Sequence, residues 1–195
     1  MKKIGLTGGI GSGKTTVCKI FQSIGIPVYY ADPRAKALMS FDPILKAALK
    51  KELGPEIYHR NGRLNRKVMA NLIFNNKDKL NTVNALVHPA VNRDSVIWMK
   101  EQKAPYCIYE AALLIENGSY KNFDKLIVVT APEELRVRRV MKRDRITKEQ
   151  VLSRINNQLP QVQKNHLADY LIINDGDHSL IQQVAEIHRE IIKNI

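Results

Sequence analysis

Apolar positions along the chain switch between two patterns, and the switches lay out the fold. Unbroken apolar runs fall at Lys3-Ile4-Gly5-Leu6-Thr7, residues 26–31, Tyr106-Cys107-Ile108-Tyr109, residues 125–130 and residues 168–173. Short runs without polar alternation are the pattern of strands buried on both faces, as in parallel sheets. Between them apolar residues recur at helical spacing: Val17, Ile20, Phe21 and Ile24 up to a stop at Gly25, and Leu180, Val184 and Ile187 near the end. Strands alternating with helices predict an α/β fold of three layers, with a parallel sheet of five strands inside.

One interval breaks the alternation. Between residues 33 and 98 the pattern is helix after helix, with stripes at Ala35, Leu38 and Met39, at Leu45, Leu49 and Leu53, and at Val68, Leu72 and Ile73. Gly54-Pro55 and Asn61-Gly62 punctuate them as turns, and His88-Pro89 opens a further helix carrying Val91, Val96 and Ile97. This exceeds a normal crossover between strands and reads as an inserted helical cap. A second departure spans 132–160, where an Arg-rich helix is followed by Thr147-Lys148-Glu149-Gln150, a capping-box-like start of another helix. These two helices form a flap. The chain therefore reads as one domain over 1–195, with a core of 1–32, 99–131 and 161–195, an insertion over 33–98 and a flap over 132–160.

Composition narrows the setting. A length of 195 residues suffices for one sizeable α/β core with a small subdomain, and 44% hydrophobic with 26% charged residues is ordinary for a soluble protein. No apolar run approaches a membrane span, and the chain enters its first strand at once, leaving no room for a signal peptide. Cys18 and Cys107 are isolated and read as reduced core thiols of a cytoplasmic protein. The net charge of +12 fits nucleic acid or small, highly anionic substrates, and charge alone leaves both open. The His residues are scattered without metal-ligand spacing.

The chemistry begins at Gly8-Gly9-Ile10-Gly11-Ser12-Gly13-Lys14-Thr15, which fits G-x-x-x-x-G-K-[ST] between a strand and a helix. Glycines let the backbone turn and bring its N–H groups against phosphate oxygens, and the helix N-terminus adds donors and positive potential. Lys14 supplies a point charge to the β/γ-phosphates, and the Thr15 hydroxyl suits Mg²⁺. Gly9, Gly11, Ser12, Gly13, Lys14, Thr15 and Thr16 are the candidate residues for a nucleoside triphosphate.

Further candidates stand where predicted strands end. Asp32 follows the second strand, where ligands of open α/β sheets bind, though Asp before Pro33 is also a good helix cap; the two roles are compatible. Glu110 follows the third strand and suits Mg²⁺ coordination through water. Glu116 is either a further contact or a solvent-facing residue, and His88 either a substrate contact or a surface or capping residue. The run Arg136, Arg138, Arg139, Lys142, Arg143 and Arg145 is either a solvated helix face or a set of cations that closes over phosphates. Arg139 and Arg143 lie four apart, so one face can present both.

Taken in order, these stretches resemble the dephospho-CoA kinase family, of the nucleoside-monophosphate-kinase-like P-loop proteins, over nearly the whole chain. The resemblance rests on Gly5-Leu6-Thr7-Gly8-Gly9-Ile10-Gly11-Ser12-Gly13-Lys14, Ala31-Asp32, His88-Pro89, Leu113-Leu114-x-Glu116, Arg143-Asp144, Gln158, and Ala168-Asp169-Tyr170 with Asn174. Tyr30 stands where the family commonly has an acid, and Ala112 where proline usually precedes the Leu-Leu pair. The resemblance implies transfer of the γ-phosphate of ATP, with Mg²⁺, to the 3′-hydroxyl of dephospho-CoA. It makes Asp32 the group that orients or deprotonates that hydroxyl, the insertion a substrate-binding region with His88, Leu113 and Glu116 as contacts, and the flap a lid bearing Arg139 and Arg143. The turn carrying Asn174 lies where adenine is expected. ATP and dephospho-CoA account for the positive charge without nucleic acid or membrane, in a monomer or small homo-oligomer. A GTPase is disfavoured because Asn75-Asn76-Lys77-Asp78 has the guanine-reading residues out of order and follows no strand.

Overall fold

The structure, a computed structural model, describes residues 1–74 and 76–195, so Asn75 of that disfavoured motif lies outside the described residues. It divides into two compact units, one of residues 1–30 and 102–195, the other of residues 31–101.

The first unit is built on a parallel sheet of β1 (Lys2–Gly8), β2 (Val28–Tyr30), β3 (Tyr106–Glu110), β4 (Lys125–Thr130) and β5 (Tyr170–Ile173), in the order β2-β3-β1-β4-β5. β1 is central, which is why its burial is nearly continuous from Ile4 to the glycine loop that follows. Alternate residues go to opposite faces. Ile4, Leu6, Ile127, Val129 and Ile172 meet α1 (Lys14–Ser23) through Val17, Cys18 and Phe21, and α9 (Leu180–Lys193) through Val184, Ile187 and Ile191. Leu126 and Val128 face the other way, against Leu114, Ile115 and Phe123. Gly5 shares that second face, where a Cβ would come within 3.1–3.2 Å of Phe123, Leu114 and Leu126, a tight fit to which those side chains would have to adjust.

After β4 come α6 (Glu133–Asp144) and α7 (Lys148–Asn156), then α8 (Gln161–His166). α6 and α7 pack through a small core of Val137, Val140 and Val151. α7 starts with a full capping box: Gln150 N–H donates to Thr147 Oγ1 and Thr147 N–H to Gln150 Oε1. Both free cysteines are buried, Cys18 on α1 and Cys107 on β3.

The second unit is helical: α2 (Ala31–Phe41), α3 (Pro43–Leu53), a 3-10 turn (Pro55–Ile57), α4 (Arg66–Phe74) and α5 (Lys77–Lys100). Asp42 caps α3 by accepting from Leu45 N–H at 2.8 Å, with Pro43 in its first turn, and Asn76 caps α5 by accepting from Lys79 N–H at 2.9 Å. Arg34 on α2 forks onto Asp94 on α5, and Tyr58 donates to Met39 O at 2.7 Å beneath the Lys46 and Lys50 ammonium groups. Two sequence expectations fail here. Helix α2 begins at Ala31, so Asp32 sits inside its first turn rather than capping a helix that starts at Pro33. His88-Pro89 does not open a helix but lies within α5, whose buried residues are Val83, Val87, Ala90, Val91, Ser95 and Met99. The stripe continues from Val91 at four-residue steps, which leaves Ile97 62% exposed. An interior proline costs about 3 kcal/mol in an isolated helix, and packing of α5 on α2, α3 and α4 outweighs it. Among the described residues no helix is long and apolar enough to cross a membrane.

Candidate active site: the phosphate loop and the side chains that hold it

The loop from Gly8 to Gly13 joins central strand β1 to α1, so its conformation is fixed at both ends by buried structure. Gly8, Gly11 and Gly13 take φ of +150°, +78° and +99°, a region that favours glycine. Neighbouring atoms also crowd a side chain at two of them, backbone at Gly8 and a side-chain amide at Gly13. A Cβ on Gly8 would sit 2.2 Å from the Val129 carbonyl oxygen, and one on Gly13 would sit 2.0 Å from Asn174 Nδ2. The turn closes with Ser12 N–H donating to Gly9 O at 3.1 Å and Thr16 N–H to Gly13 O at 2.9 Å. Lys14 folds back across the loop, its ammonium donating to Gly8 O at 3.0 Å. Thr15 and Thr16 are exposed in the first turn of α1. The N-terminus of α1 thus offers donors, a positive dipole end and one lysine, which is an anion site for a polyphosphate. Ser12 Oγ is buried and lacks a hydrogen-bond partner among the described residues.

Asn174, just past β5, reaches this loop by donating from Nδ2 to Ser12 O at 2.8 Å. Arg139 on α6 donates to Asn174 O at 3.2 Å and to Asn174 Oδ1 at 3.1 Å. The structure therefore brings two sequence-derived candidates together on the loop. Arg143 is elsewhere: it forks onto neighbouring Asp144, which also accepts from Arg154 on α7 at 2.8 Å, and these cations hold the Asp144 carboxyl below its usual range. Glu110 is buried at the end of β3. Burial, with the Glu110 carboxylate adding and the Lys14 ammonium opposing, pushes the Cys18 thiol up. Burial first, and then Cys18 and Glu110, raise Tyr30 to about 12.

Leu113 is 47% exposed on an irregular turn, while Leu114 and Ile115 are core residues. Glu116 does not face solvent freely. The ammonium of Lys164 on α8, fully buried, lies 2.5 Å from its Oε1, and Leu159 N–H donates to the same oxygen at 3.3 Å. Asp32 and His88 belong to the helical unit, where Asp32 is exposed two residues after the end of β2 and His88 is exposed on α5.

Three more side chains hold the loop: Gln158, named above only among the family motifs, Arg136, named only within the basic run, and Gln161, which sequence reasoning passed over. Gln158 Oε1 accepts from Ile10 N–H at 2.8 Å, Gln161 Oε1 accepts from Gly9 N–H at 3.2 Å, and Arg136 Nε donates to Ile10 O at 3.0 Å. Arg136 is 4% exposed, and burial pushes its guanidinium pKa down. A signal for Arg136 was present in the helical phase: it is four residues before Val140, on the buried side of α6, whereas Arg138 is exposed. Nothing in the sequence alone announces what Gln158 and Gln161 bind.

Thr15 and Glu110 suit Mg²⁺. Among the described residues no three His, Cys, Asp or Glu side chains cluster as a metal cage. Mg²⁺ is ordinarily held by one or two protein oxygens, waters and substrate phosphates, so an exposed hydroxyl and one buried carboxylate are an adequate donor set.

The comparisons with known proteins agree with this geometry. The family model described as dephospho-CoA kinase matches residues 2–179. A dephospho-CoA kinase of Porphyromonas gingivalis is 39% identical over 191 residues, 96% of this chain and 93% of the relative. One of Bacteroides fragilis is 37% identical over 186 residues, 95% and 90% of the two chains. The solved dephospho-CoA kinase from Campylobacter jejuni superposes with a TM-score of 0.72 at 26% identity, covering 98% of each chain. With the phosphate loop in its strand-to-helix setting and the family model spanning most of its length, the chain belongs to the dephospho-CoA kinase family.

Proposed function

We propose that this protein transfers the γ-phosphate of ATP to the 3′-hydroxyl of dephospho-CoA, giving CoA and ADP, the last step of coenzyme A biosynthesis. The observation that carries the nucleotide half is the loop itself, with Lys14 folded over it and the α1 N-terminus behind it. Family membership carries the acceptor half. Phosphoryl transfer asks a protein for alignment and charge neutralisation more than for covalent chemistry. Lys14 and the loop amides hold the β- and γ-phosphates, and Arg139 and Arg143 contribute positive charge as the phosphoryl group moves. Asp32 accepts the hydrogen bond of the ribose hydroxyl and aligns it for in-line attack. His88, Leu113 and Glu116 contact the acceptor, within an arrangement of one core, a helical insertion and a lid. Thr15, with Glu110 through water, would hold Mg²⁺, which neutralises phosphate charge.

Two anionic substrates are sufficient reason for the +12 charge, so no nucleic acid is invoked. Buried, free cysteines accord with a cytoplasmic protein, acting as a monomer or small homo-oligomer. The test is ADP release with ATP and Mg²⁺ against dephospho-CoA, AMP, adenosine and pantetheine 4′-phosphate. Dephospho-CoA should be the preferred acceptor, and faster turnover of AMP would overturn the assignment.

A further inference from the structure

Ile10 is held from three directions. Its N–H donates to Gln158 Oε1, its carbonyl accepts from Arg136 Nε, and its side chain packs against the Val137, Val140 and Val151 cluster of α6 and α7. At the preceding residue Gly9 N–H donates to Gln161 Oε1, and Gln161 Nε2 donates to Asn165 Oδ1 at 2.9 Å, which fixes the orientation of that amide. The Arg136 guanidinium lies against Gly9 so closely that a Cβ there would be 2.9 Å from Cζ. A buried guanidinium carries a desolvation cost that a surface arginine avoids. The rear of the loop is held by different groups: the first turn of α1 at Gly13 and the Asn174 amide at Ser12. Different side chains thus hold the two halves of the loop, which the Ser12 N–H to Gly9 O bond joins.

We propose that Gln158 and Arg136 are positioning residues for phosphoryl transfer, acting together through the Ile10 peptide to fix the front half of the phosphate loop. The proposal rests on the phosphotransfer reading above. Affinity for the nucleotide comes mainly from the rear half and Lys14, so it survives loss of the front clamp. Alignment of the transferred group does not, because small misplacements of a reacting phosphate are costly in rate.

Gln158→Met keeps length and removes the acceptor; Arg136→Met keeps the stem and removes donor and charge. Each should lower kcat roughly tenfold, given the sensitivity of rate to alignment. KM for ATP and the Kd for ADP should stay within about threefold, since ground-state binding is not what is lost. The double variant should lose little more than the worse single variant, because both act through one peptide. Gln158→Glu keeps an oxygen acceptor at the same reach, so it should recover most of kcat while the added negative charge raises KM for ATP. Unchanged kcat in Gln158→Met would overturn the proposal alone. So would kcat, ADP affinity and Tm falling in parallel, or losses that multiply in the double variant. No turnover of dephospho-CoA by the unaltered protein would overturn the acceptor assignment, and this proposal with it.

Discussion

Arg139 grips Asn174 through both its backbone and side-chain oxygens, and Asn174 grips the phosphate loop at Ser12. An α6 arginine is therefore coupled to the rear of the loop through a single buried amide. The same amide occupies the space that a side chain at position 13 would need.

Asn174→Ala and Gly13→Ala should consequently resemble each other. The first removes the bond to Ser12 O and strands the Arg139 donor that reached Asn174 Oδ1, while the bond to the backbone carbonyl stays, at about 1–3 kcal/mol. The second forces a Cβ into left-handed backbone, also about 1–3 kcal/mol, and displaces Asn174. Both should raise KM for ATP. Thermal melts with ATP titration check this; normal ATP affinity in either variant contradicts the coupling.

Arg139 and Arg143 should separate. Arg143→Ala leaves the Arg154–Asp144 bond in place and removes an exposed ion pair, worth at most about 1 kcal/mol. Arg139→Ala releases Asn174, so it should affect both ATP affinity and kcat more than Arg143→Ala does. Steady-state kinetics of the two variants checks the order, and the reverse order would return catalytic priority to Arg143.

The Glu116–Lys164 pair should respond asymmetrically. Glu116→Ala leaves a fully buried ammonium without its partner, a loss of about 3–5 kcal/mol, whereas Lys164→Met leaves a carboxylate that is partly exposed and still accepts from Leu159 N–H, so it should cost less. Denaturant unfolding measures both. Equal, small losses would contradict a structural Glu116–Lys164 pair.

How far the sequence revealed this site depended on the range of each interaction. Strands such as 125–130 were legible because burial on both faces leaves an unbroken apolar run, and the loop was legible because its chemistry is contiguous. The Gln158, Gln161 and Arg136 contacts cross more than a hundred residues, and a glutamine that accepts from a loop amide looks in sequence like any polar residue. Lys164 was missed for the same reason, because a lysine is ordinarily exposed and its burial here depends on a partner from a distant turn. The helix through His88-Pro89 was misread because proline usually marks an N-terminus, while here tertiary packing carries the helix across it.

Asp32 and Lys14 should fail in different ways. Asp32→Asn keeps size and removes the proton acceptor, so kcat should fall by roughly 10²–10⁴ with ATP affinity and Tm little changed. Lys14→Ala removes a charge from the phosphates in ground and transition states alike, so KM for ATP should rise as kcat falls by about 10²-fold or more. Normal turnover by Asp32→Asn would leave that residue as part of the first turn of α2 and nothing more.

The account stands most directly on where the phosphate goes. ATP labelled in its γ-phosphate, incubated with Mg²⁺, dephospho-CoA and the protein, should pass its label to the ribose 3′-hydroxyl, equimolar with ADP, as read by mass spectrometry and phosphorus NMR of the product. Label released as inorganic phosphate, or carried on another hydroxyl, would contradict it.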